Sequence, residues 1–426
     1  MTARRDRSLF VVCMAAQGCI IVMLSLWARW GCAPSTVVLG LGAAFVPYAG
    51  AVLWSPAVGD RRTVDRIAIV ASLAFGAAFL LAPPVMSDDL YRYLWEGRVW
   101  LEGLNPYRLA PNDPALASLR TDLWTSINNK DLASIYPPLS QLLFVAAAWL
   151  GGRVWMIKVL ALGAHVASVV VVSRIARQPR AALALGLNPL LLSEAALNGH
   201  FDVLTGLTLL LTAWALTRHR IVAAAVAACT AVGLKAVGVV LLPLFARRPK
   251  AFAAVSIVSA WLLLPLVWSR SPFDAASGPG QFATRWRGNE SVFAVVQWLA
   301  DRLFAEDVAA LVARAAVAAA VLVVWIVVLR RRLPPLEASR SAVWAVLLVS
   351  PQVHPWYLAW LLPLEVFAGG RAGLVWSAAA LCAYAPLDRW VRDGVWEMPV
   401  WLQLLSYAAV LIALILDPHR PSLHGR

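Results

Sequence analysis

Long apolar runs recur along this chain and limit its possible folds more strongly than any other feature. A helix needs ~20 apolar residues to cross a bilayer. Runs of about that length occupy residues 9–28, 36–54, 65–84, 154–173, 201–217, 250–268, 306–330 and 399–416. The pattern predicts that the chain crosses a membrane many times.

The composition agrees with this interpretation. Of the 426 residues, 61% are hydrophobic and 14% are charged, and the mean hydropathy is +0.71. These values are far from those of a soluble globular chain. We therefore predict an all-α polytopic membrane protein, a single integral membrane domain over residues 1–426, with about 12–14 transmembrane segments, some of them short or broken.

Basic residues lie in short clusters between the apolar runs and indicate the topology. The net charge of +14 would suit nucleic acid, but the basic residues form no single patch, so no nucleic-acid partner is expected. The clusters occupy 4–7, 61–66, 174–180, 218–220, 247–250, 330–340 and 420–426. By the positive-inside rule they face the cytoplasm. Both termini then lie inside, and the loop that begins near Asp88 and Asp89 lies outside.

Three apolar segments break this charge pattern if they cross the membrane. Residues 139–150 follow Tyr136-Pro137-Pro138, and we expect an interfacial helix there. Residues 221–246 begin and end beside basic clusters, which predicts a re-entrant hairpin with its apex near Lys235. Residues 341–370 are interrupted by Pro351-Gln352-Val353-His354-Pro355, which predicts two half-helices.

The first external loop opens with two adjacent acids among aromatic residues. Asp88 and Asp89 precede Tyr91, Tyr93 and Trp95. Ionisable groups at a membrane exit are functional candidates, and a carboxylate beside aromatic rings can bind a sugar and accept a hydroxyl proton. The structural alternative is a helix N-terminus, with Asp88 as the cap and Asp89 in the first turn.

A second polar group follows the fourth clear run. Glu194, Asn198 and Asp202 recur every four residues, so in a continuous helix they would share one face. Gly199 would let His200 approach a ligand. The alternative is that these side chains only bond neighbouring helices.

Two further residues could bind an anion. Lys235 stands alone in an apolar run, and His354 lies at the second break. A lysine ammonium is a compact charge suited to phosphate. The alternatives are snorkelling or a structural pair with a carboxylate such as Glu194 for Lys235, and a neutral interface histidine for His354.

The ordered set of motifs resembles the GT-C class of polytopic glycosyltransferases, and in particular bacterial polyprenyl-phosphate-mannose-dependent mannosyltransferases. The resemblance covers about residues 65–370, after two extra N-terminal spans (8–64) and before C-terminal spans and a cytoplasmic tail (371–426). The motifs are Asp88-Asp89-x-Tyr91, Asn105-Pro106-Tyr107, Tyr136-Pro137-Pro138-Leu139, Asn188-Pro189 with Glu194, Gly199-His200-x-Asp202, Lys235 at a glycine-flanked break, and Pro351-x-x-His354-Pro355-Trp356-Tyr357. Relatives with a large C-terminal extracytoplasmic domain differ from this chain, which leaves acceptor recognition open.

The resemblance implies an inverting hexosyltransferase, with mannose as the expected sugar, in a bacterial plasma membrane. A polyprenyl-phosphate sugar would be the donor, and an extracytoplasmic glycan or glycolipid the acceptor. Alignment places the catalytic base at Asp88, or at Asp89 if shifted by one residue. Lys235, His354 and His200 are the expected ligands of the donor phosphate. The expected substrate-binding residues are Tyr91, Arg92, Tyr136, Glu194, Asn198, Asp202, Trp356 and Tyr357.

A divalent cation and two other classes of protein stay open. Asp88 and Asp89 are candidate ligands for Mg²⁺ or Mn²⁺, and Asp89, Glu194 or Asp202 could hold either the metal or the acceptor. A flippase or transporter of a lipid-linked saccharide would also use broken helices, but it should show internal repeats, and none is convincing. A structural membrane subunit would not need acids at the outer edge.

Overall fold

The computed structural model describes residues 2–55, 58–268 and 286–417. Within these ranges the chain is helical and forms no strand; Gly288 and Gln352 make an isolated bridge. Six helices are long and apolar enough to cross a membrane: Arg4–Arg29, Pro34–Trp54, Arg61–Leu80, Val154–Ile175, Pro249–Val267 and Glu306–Arg331. A bent pair, Pro189–Leu197 with Asp202–Thr217, makes a seventh if it counts as one span. The prediction of an all-α, multi-pass membrane protein is confirmed.

The chain divides into two compact units. The first comprises the described parts of Met1–Leu90, Trp155–Leu207 and His354–Arg420. Its α-helices include α1 (Thr2–Arg29), α2 (Pro34–Trp54) and α3 (Arg61–Leu80). Helix α4 (Asp89–Leu101) starts here and continues in the second unit.

The second unit comprises the described parts of Tyr91–Val154 and Thr208–Val353. After α4 it contains the short α5 (Asp122–Thr125) and α6 (Pro138–Trp149), with a 3₁₀ turn at Pro114–Leu119. Pro138 occupies the first turn of α6, where a missing N–H costs nothing. Twelve residues span only about 18 Å, too short to cross a bilayer. The predicted helix is present, and its interfacial location stays a prediction.

The remaining α-helices follow in chain order. They are α7 (Val154–Ile175), α8 (Ala181–Gly186), α9 (Pro189–Leu192), α10 (Asp202–Thr217), α11 (Ile221–Leu234), α12 (Pro249–Trp268), α13 (Val292–Leu303), α14 (Glu306–Arg331), α15 (Pro335–Val349), α16 (Leu358–Ala368), α17 (Ala372–Ala379), α18 (Leu387–Asp393) and α19 (Val400–Leu416). A π-helical turn, Ser193–Leu197, directly follows α9. Three more 3₁₀ segments lie at Ala236–Phe245, Pro355–Tyr357 and Ala380–Tyr384.

A buried lysine holds the end of α3. The Lys158 ammonium, from α7, donates hydrogen bonds to the carbonyl oxygens of Phe79 (2.8 Å), Leu80 (3.3 Å) and Ala82 (2.6 Å). Phe79 and Leu80 lie in the last turn of α3, where carbonyls lack intrahelical partners, and Ala82 follows the helix. A cation is favoured at a helix C-terminus. This contact fixes the start of the segment that leads to Asp88.

A hairpin occupies 221–246 as predicted, and its re-entrant position in a membrane stays a prediction. Helix α11 ends at Leu234, Lys235 has extended backbone angles (φ −153°, ψ 135°), and the 3₁₀ segment returns. Phe245 at its end packs in one cluster with Ala224 and Ala228 near the start of α11. The two ends of the hairpin are therefore close together. The side of the membrane on which they lie stays a prediction.

The predicted break within 341–370 is also confirmed. Helix α15 ends at Val349, and helical structure resumes with the 3₁₀ turn Pro355–Tyr357 followed by α16. Pro351 and Pro355 explain the interruption, because proline cannot donate a backbone hydrogen bond and disfavours helix at the residue before it.

Candidate active site

The two adjacent acids lie at the start of α4. Asp89 occupies the first turn, as the structural alternative predicted, and its backbone N–H donates to the Ser87 hydroxyl at 3.3 Å. Its carboxylate is 20% exposed, and one oxygen lies 3.8 Å from Nε2 of His200. Asp88 precedes the helix and is partly exposed. A helix N-terminus favours negative charge there, so capping and function are compatible.

The segment that carries Glu194 and His200 is not a continuous helix. After α9 the chain makes a π turn, and Gly199 adopts a left-handed conformation (φ +73°). A Cβ at Gly199 would lie 2.7 Å from Leu90 Cδ1, so a side chain does not fit. Glu194, Asn198 and Asp202 therefore do not share one helical face, because the bend places Asp202 at the start of α10. The same bend brings Glu194, Asn198 and His200 together.

Glu194 is the centre of a fully buried hydrogen-bonded group. Tyr384 donates its hydroxyl to Oε1 at 2.6 Å, and Asn198 donates its amide to Oε2 at 3.1 Å. His200 Nδ1 lies 2.8 Å from the same Oε2. The Asn198 carbonyl oxygen in turn accepts from the Met86 N–H at 3.4 Å. Because Met86 precedes the acids, this group fastens the segment of Asp88 and Asp89 to the bend.

His200 contacts both Glu194 and the segment that carries Asp88 and Asp89. Its Nε2 lies 3.1 Å from the Ser87 hydroxyl, while its Nδ1 contacts Glu194. Both ring nitrogens thus have partners within the protein. A role of His200 as a ligand of the donor phosphate stays a prediction.

The residues at the Pro351–Pro355 break join the same site through stacked rings. Trp356 stacks on His200 at 4.1 Å and on His354 at 4.2 Å. Both faces of the indole are covered, so a sugar could contact Trp356 only at its edge. Each histidine, when protonated, would be stabilised by the aromatic face.

Asp202 and Tyr357 are held beside this stack. Asp202 is buried and accepts a hydrogen bond from Trp360 Nε1 at 2.8 Å. Tyr357 stacks on Trp360 at 4.2 Å and meets His354 edge-on at 5.2 Å. The first unit therefore contains Asp88 and Asp89 together with the predicted site residues of the Asn188–Asp202 and Pro351–Tyr357 motifs.

The other candidates lie in the second unit, and two of them are tied into its interior. Arg92 is buried, forms a salt bridge with Glu96 (2.6 Å) and donates to the carbonyl oxygens of Asn129 (3.0 Å) and Leu132 (2.6 Å). Tyr91 packs against a buried cluster around Trp95.

The remaining two candidates of this unit are Tyr136 and Lys235. Tyr136 meets Tyr93 and Phe144 edge-on. Lys235 is partly exposed at the hairpin apex. Their substrate roles stay predictions.

Three residues of the site had not been singled out by sequence reasoning. Tyr384 stands 190 positions from Glu194, and nothing local marks it. Trp360 lies one helical turn after Trp356 in an aromatic run. Ser87 adjoins Asp88, and that adjacency was the available signal.

The fold and the site define the general class of this protein. It is a polytopic, all-helical membrane protein whose ionisable site is built from loop and helix-break residues. A family model described as alpha-(1->6)-mannopyranosyltransferase, N-terminal domain, matches residues 9–248. The chain belongs to this family and is a membrane mannosyltransferase. No curated protein and no solved structure matches it.

Proposed function

We propose that this chain transfers mannose from a polyprenyl-phosphate mannose to a hydroxyl of an extracytoplasmic glycan or glycolipid. The protein would lie in a bacterial plasma membrane with its site on the outer side. The observation that carries the proposal is the position of the Asp88–Asp89 pair beside the Glu194–His200 group, in a mannosyltransferase family member.

The proposed reaction is a single displacement with inversion. The acceptor oxygen attacks the anomeric carbon, the bond from that carbon to the phosphate oxygen breaks, and Asp88 takes the hydroxyl proton. Asp89 is the alternative base. A positioned carboxylate contributes about 10²- to 10⁴-fold in such a step.

The leaving polyprenyl phosphate needs charge stabilisation, which is often the largest single contribution to catalysis. Lys235 and His354 are the proposed ligands of this phosphate, with His200 as a third candidate. Lys235 fits because its partly exposed ammonium lies at a helix break, where non-helical backbone at membrane depth usually lines a cavity. The acceptor would contact the carboxylates and the edge of the Trp356 stack.

A resident metal ion is not part of this proposal. Among residues 2–55, 58–268 and 286–417, no group of three or more His, Cys, Asp or Glu side chains is arranged to hold a metal. Asp88 and Asp89 would hold a Mg²⁺ or Mn²⁺ ion only together with a substrate phosphate, the usual way in which one or two carboxylates bind Mg²⁺. No step is assigned to a cation.

The test is transfer of radiolabelled mannose from polyprenyl-phosphate mannose by the purified protein in vesicles. The labelled product should be a mannosylated lipid or glycan and should form without any nucleotide sugar. Label that crosses the bilayer without a new covalent product would replace the proposal with a flippase. GDP-mannose as the sole effective donor would overturn the choice of donor.

A further inference from the structure

We propose that Gln17 of α1 and Tyr48 of α2 are positioning residues for mannosyl transfer. Both act through the α8–α9 break (Leu187–Asn188), which sets the direction of the segment that carries Glu194 and His200. The two N-terminal spans, which precede the part of the sequence that resembles the catalytic core, thus belong to that core. The inference rests on the proposed function, because it assigns a support to the same site.

The α8–α9 break leaves two carbonyl oxygens without their usual helical donors. In a continuous helix the N–H of Asn188 would reach the Ala184 carbonyl, but here it is directed to Leu185 at 3.4 Å. The N–H of Leu191 would likewise reach Leu187, but it bonds the Asn188 side chain at 3.1 Å. The carbonyl oxygens of Ala184 and Leu187 therefore need donors from elsewhere.

The two N-terminal spans supply these donors. Tyr48 donates its hydroxyl to the Ala184 carbonyl oxygen at 2.7 Å. Gln17 donates its amide to the Leu187 carbonyl oxygen at 2.6 Å. Both side chains are buried, and broken helical backbone at membrane depth requires partners that the protein itself provides. Helices α1 and α2 thus complete the hydrogen bonding of the break.

Two further helices contact the break from other parts of the chain. His165, on α7, places Nε2 3.2 Å from the Gly186 carbonyl oxygen. Asn188 donates its amide to the hydroxyl of Ser377, on α17, at 2.8 Å. The break is therefore held by side chains from four helices, and its direction depends on all of them.

The break lies close to the π turn of the candidate active site. Helix α9 has four residues, Pro189–Leu192, and the π turn starts at the next residue, Ser193. Glu194 is the second residue of that turn. Every residue from 189 to 197 is buried, and close-packed interiors transmit strain. A shift at the break is therefore passed on to Glu194.

A purely structural role of the two donors makes a different prediction. Loss of either donor would then reduce the amount of folded protein and leave the folded molecules fully active. Positioning predicts slower transfer by the molecules that do fold, because a misplacement of about 1 Å, even by a mutation far from the chemistry, can cost about 10²-fold in rate.

The kinetic arm of the test measures mannosyl transfer per folded molecule. Gln17→Leu and Tyr48→Phe remove the donor and keep most of the side-chain volume. Each should lower kcat by about 10- to 100-fold, while KM for the donor substrate stays near the wild-type value, because neither side chain lies in the site. Unchanged kcat per folded molecule in both variants would overturn the inference.

Thr212→Val is the matched control for these variants. Thr212 is buried like Gln17 and Tyr48, but its hydroxyl donates to the Thr208 carbonyl within its own helix, α10. Its loss leaves the α8–α9 break unchanged. The control should therefore keep the wild-type kcat, and an equal loss of kcat in Thr212→Val would contradict a specific role of the break.

The structural arm is hydrogen–deuterium exchange of the full-length protein in detergent, read by mass spectrometry. Gln17→Leu and Tyr48→Phe should exchange faster than wild type within 187–202 and at the wild-type rate in α14. Unchanged exchange within 187–202 in both variants would overturn the inference. Faster exchange over the whole chain would also overturn it, because it would mean a general loosening of the fold.

The two arms separate the inference from the proposed function. If the unmodified protein transfers no mannose from the polyprenyl-phosphate donor, the proposed function fails. Exchange within 187–202 still decides whether the N-terminal spans hold the break. If Gln17→Leu does not fold, Tyr48→Phe decides the question, since it removes one hydroxyl and keeps the packing of the ring.

Discussion

Two buried glutamates, one in each unit, differ in what their partners can do. Glu194 is held by Tyr384, Asn198 and His200. Glu96 is equally buried and also has three donors: Arg92 Nε at 2.6 Å, Ser134 Oγ at 2.7 Å and Gln141 Nε2 at 2.5 Å. Burial and bonding are alike, so neither marks a functional carboxylate. The distinguishing feature is the path of contacts that leads from Glu194 through His200 to Ser87 and Asp89.

The Glu96 group fastens the long loop after α4. Arg92 donates hydrogen bonds to the carbonyl oxygens of Asn129 and Leu132. Tyr107 donates its hydroxyl to the Tyr136 carbonyl oxygen at 2.8 Å. Burial, and then the charge of Glu96, raise the pKa of Tyr107 well above its usual value, so this phenol remains a neutral donor. The Glu96 group thus holds the loop in place, whereas the Glu194 group also contacts the segment of the candidate catalytic acids.

The sharpest test of this contrast is Asp88→Asn, beside the Glu194 group. We expect turnover to fall by about 10²-fold or more, since the base is lost, while the melting temperature stays near the wild-type value. Asp122→Asn, an exposed acid in the same loop, is the control. If Asp88→Asn transfers normally and Asp89→Asn is inactive, Asp89 is the base.

The opposite outcome is expected for Glu96→Gln. Loss of the carboxylate leaves the Arg92 guanidinium buried without its charge partner, which should destabilise the fold by about 3–5 kcal/mol. Turnover per folded molecule should be retained. Thermal unfolding and an active-fraction assay separate the two quantities, with the exposed Glu102→Gln as control.

A double variant extends this test. Arg92→Met combined with Glu96→Leu should regain much of the lost stability, because both charges are gone. A stable Glu96→Gln protein with low turnover would instead make this group functional, and the contrast between the two glutamates would fail.

Lys235→Met tests whether the second unit contributes chemistry as well as support. Donor use should weaken by about 10- to 100-fold in kcat/KM, the value of a charged hydrogen bond. Lys235→Arg should be partly active, and the exposed Lys250→Met should behave as wild type. Less folded protein with unchanged donor affinity would assign Lys235 to stability alone.

Gly199→Ala changes the Glu194 group without touching a polar atom. The left-handed backbone costs an L-residue roughly 1–2 kcal/mol, and the new methyl would press on Leu90. We expect a small loss of stability and a larger relative loss of turnover. Gly163→Ala, on α7, is the control, because a Cβ added there would meet no atom within 4 Å. It should leave turnover unchanged and should not lower stability, because alanine is favoured over glycine inside a helix.

The sequence predicts most of what is local in this fold. Apolar run length predicts the long helices, and basic clusters at both ends of 221–246 predict the hairpin that Phe245 closes against Ala224. Proline spacing predicts the break before α16. These features depend on residues close together in the chain, or on charge counted loop by loop.

The geometry of the site depends on contacts that local patterns do not encode. A four-residue spacing cannot distinguish a regular helix from the π turn at Glu194, and only the fold reveals that Gly199 bends the chain back. Tyr384 reaches Glu194 across 190 positions, and Trp356 stacks on His200 from a distant motif as well as on His354 from its own. Their residue types were visible in the sequence, but their partners were not.

The Lys158 contact has a consequence for how the protein is made. Membrane helices enter the bilayer in chain order, and α7 carries an ammonium group that lipid cannot solvate. Its partner carbonyls lie at the end of α3 and at Ala82 just after it, 76 to 79 positions earlier. Stable insertion of α7 therefore requires that α3 is already inserted beside it. The chain that carries Asp88 would remain loosely held during synthesis and become fixed only when α7 arrives.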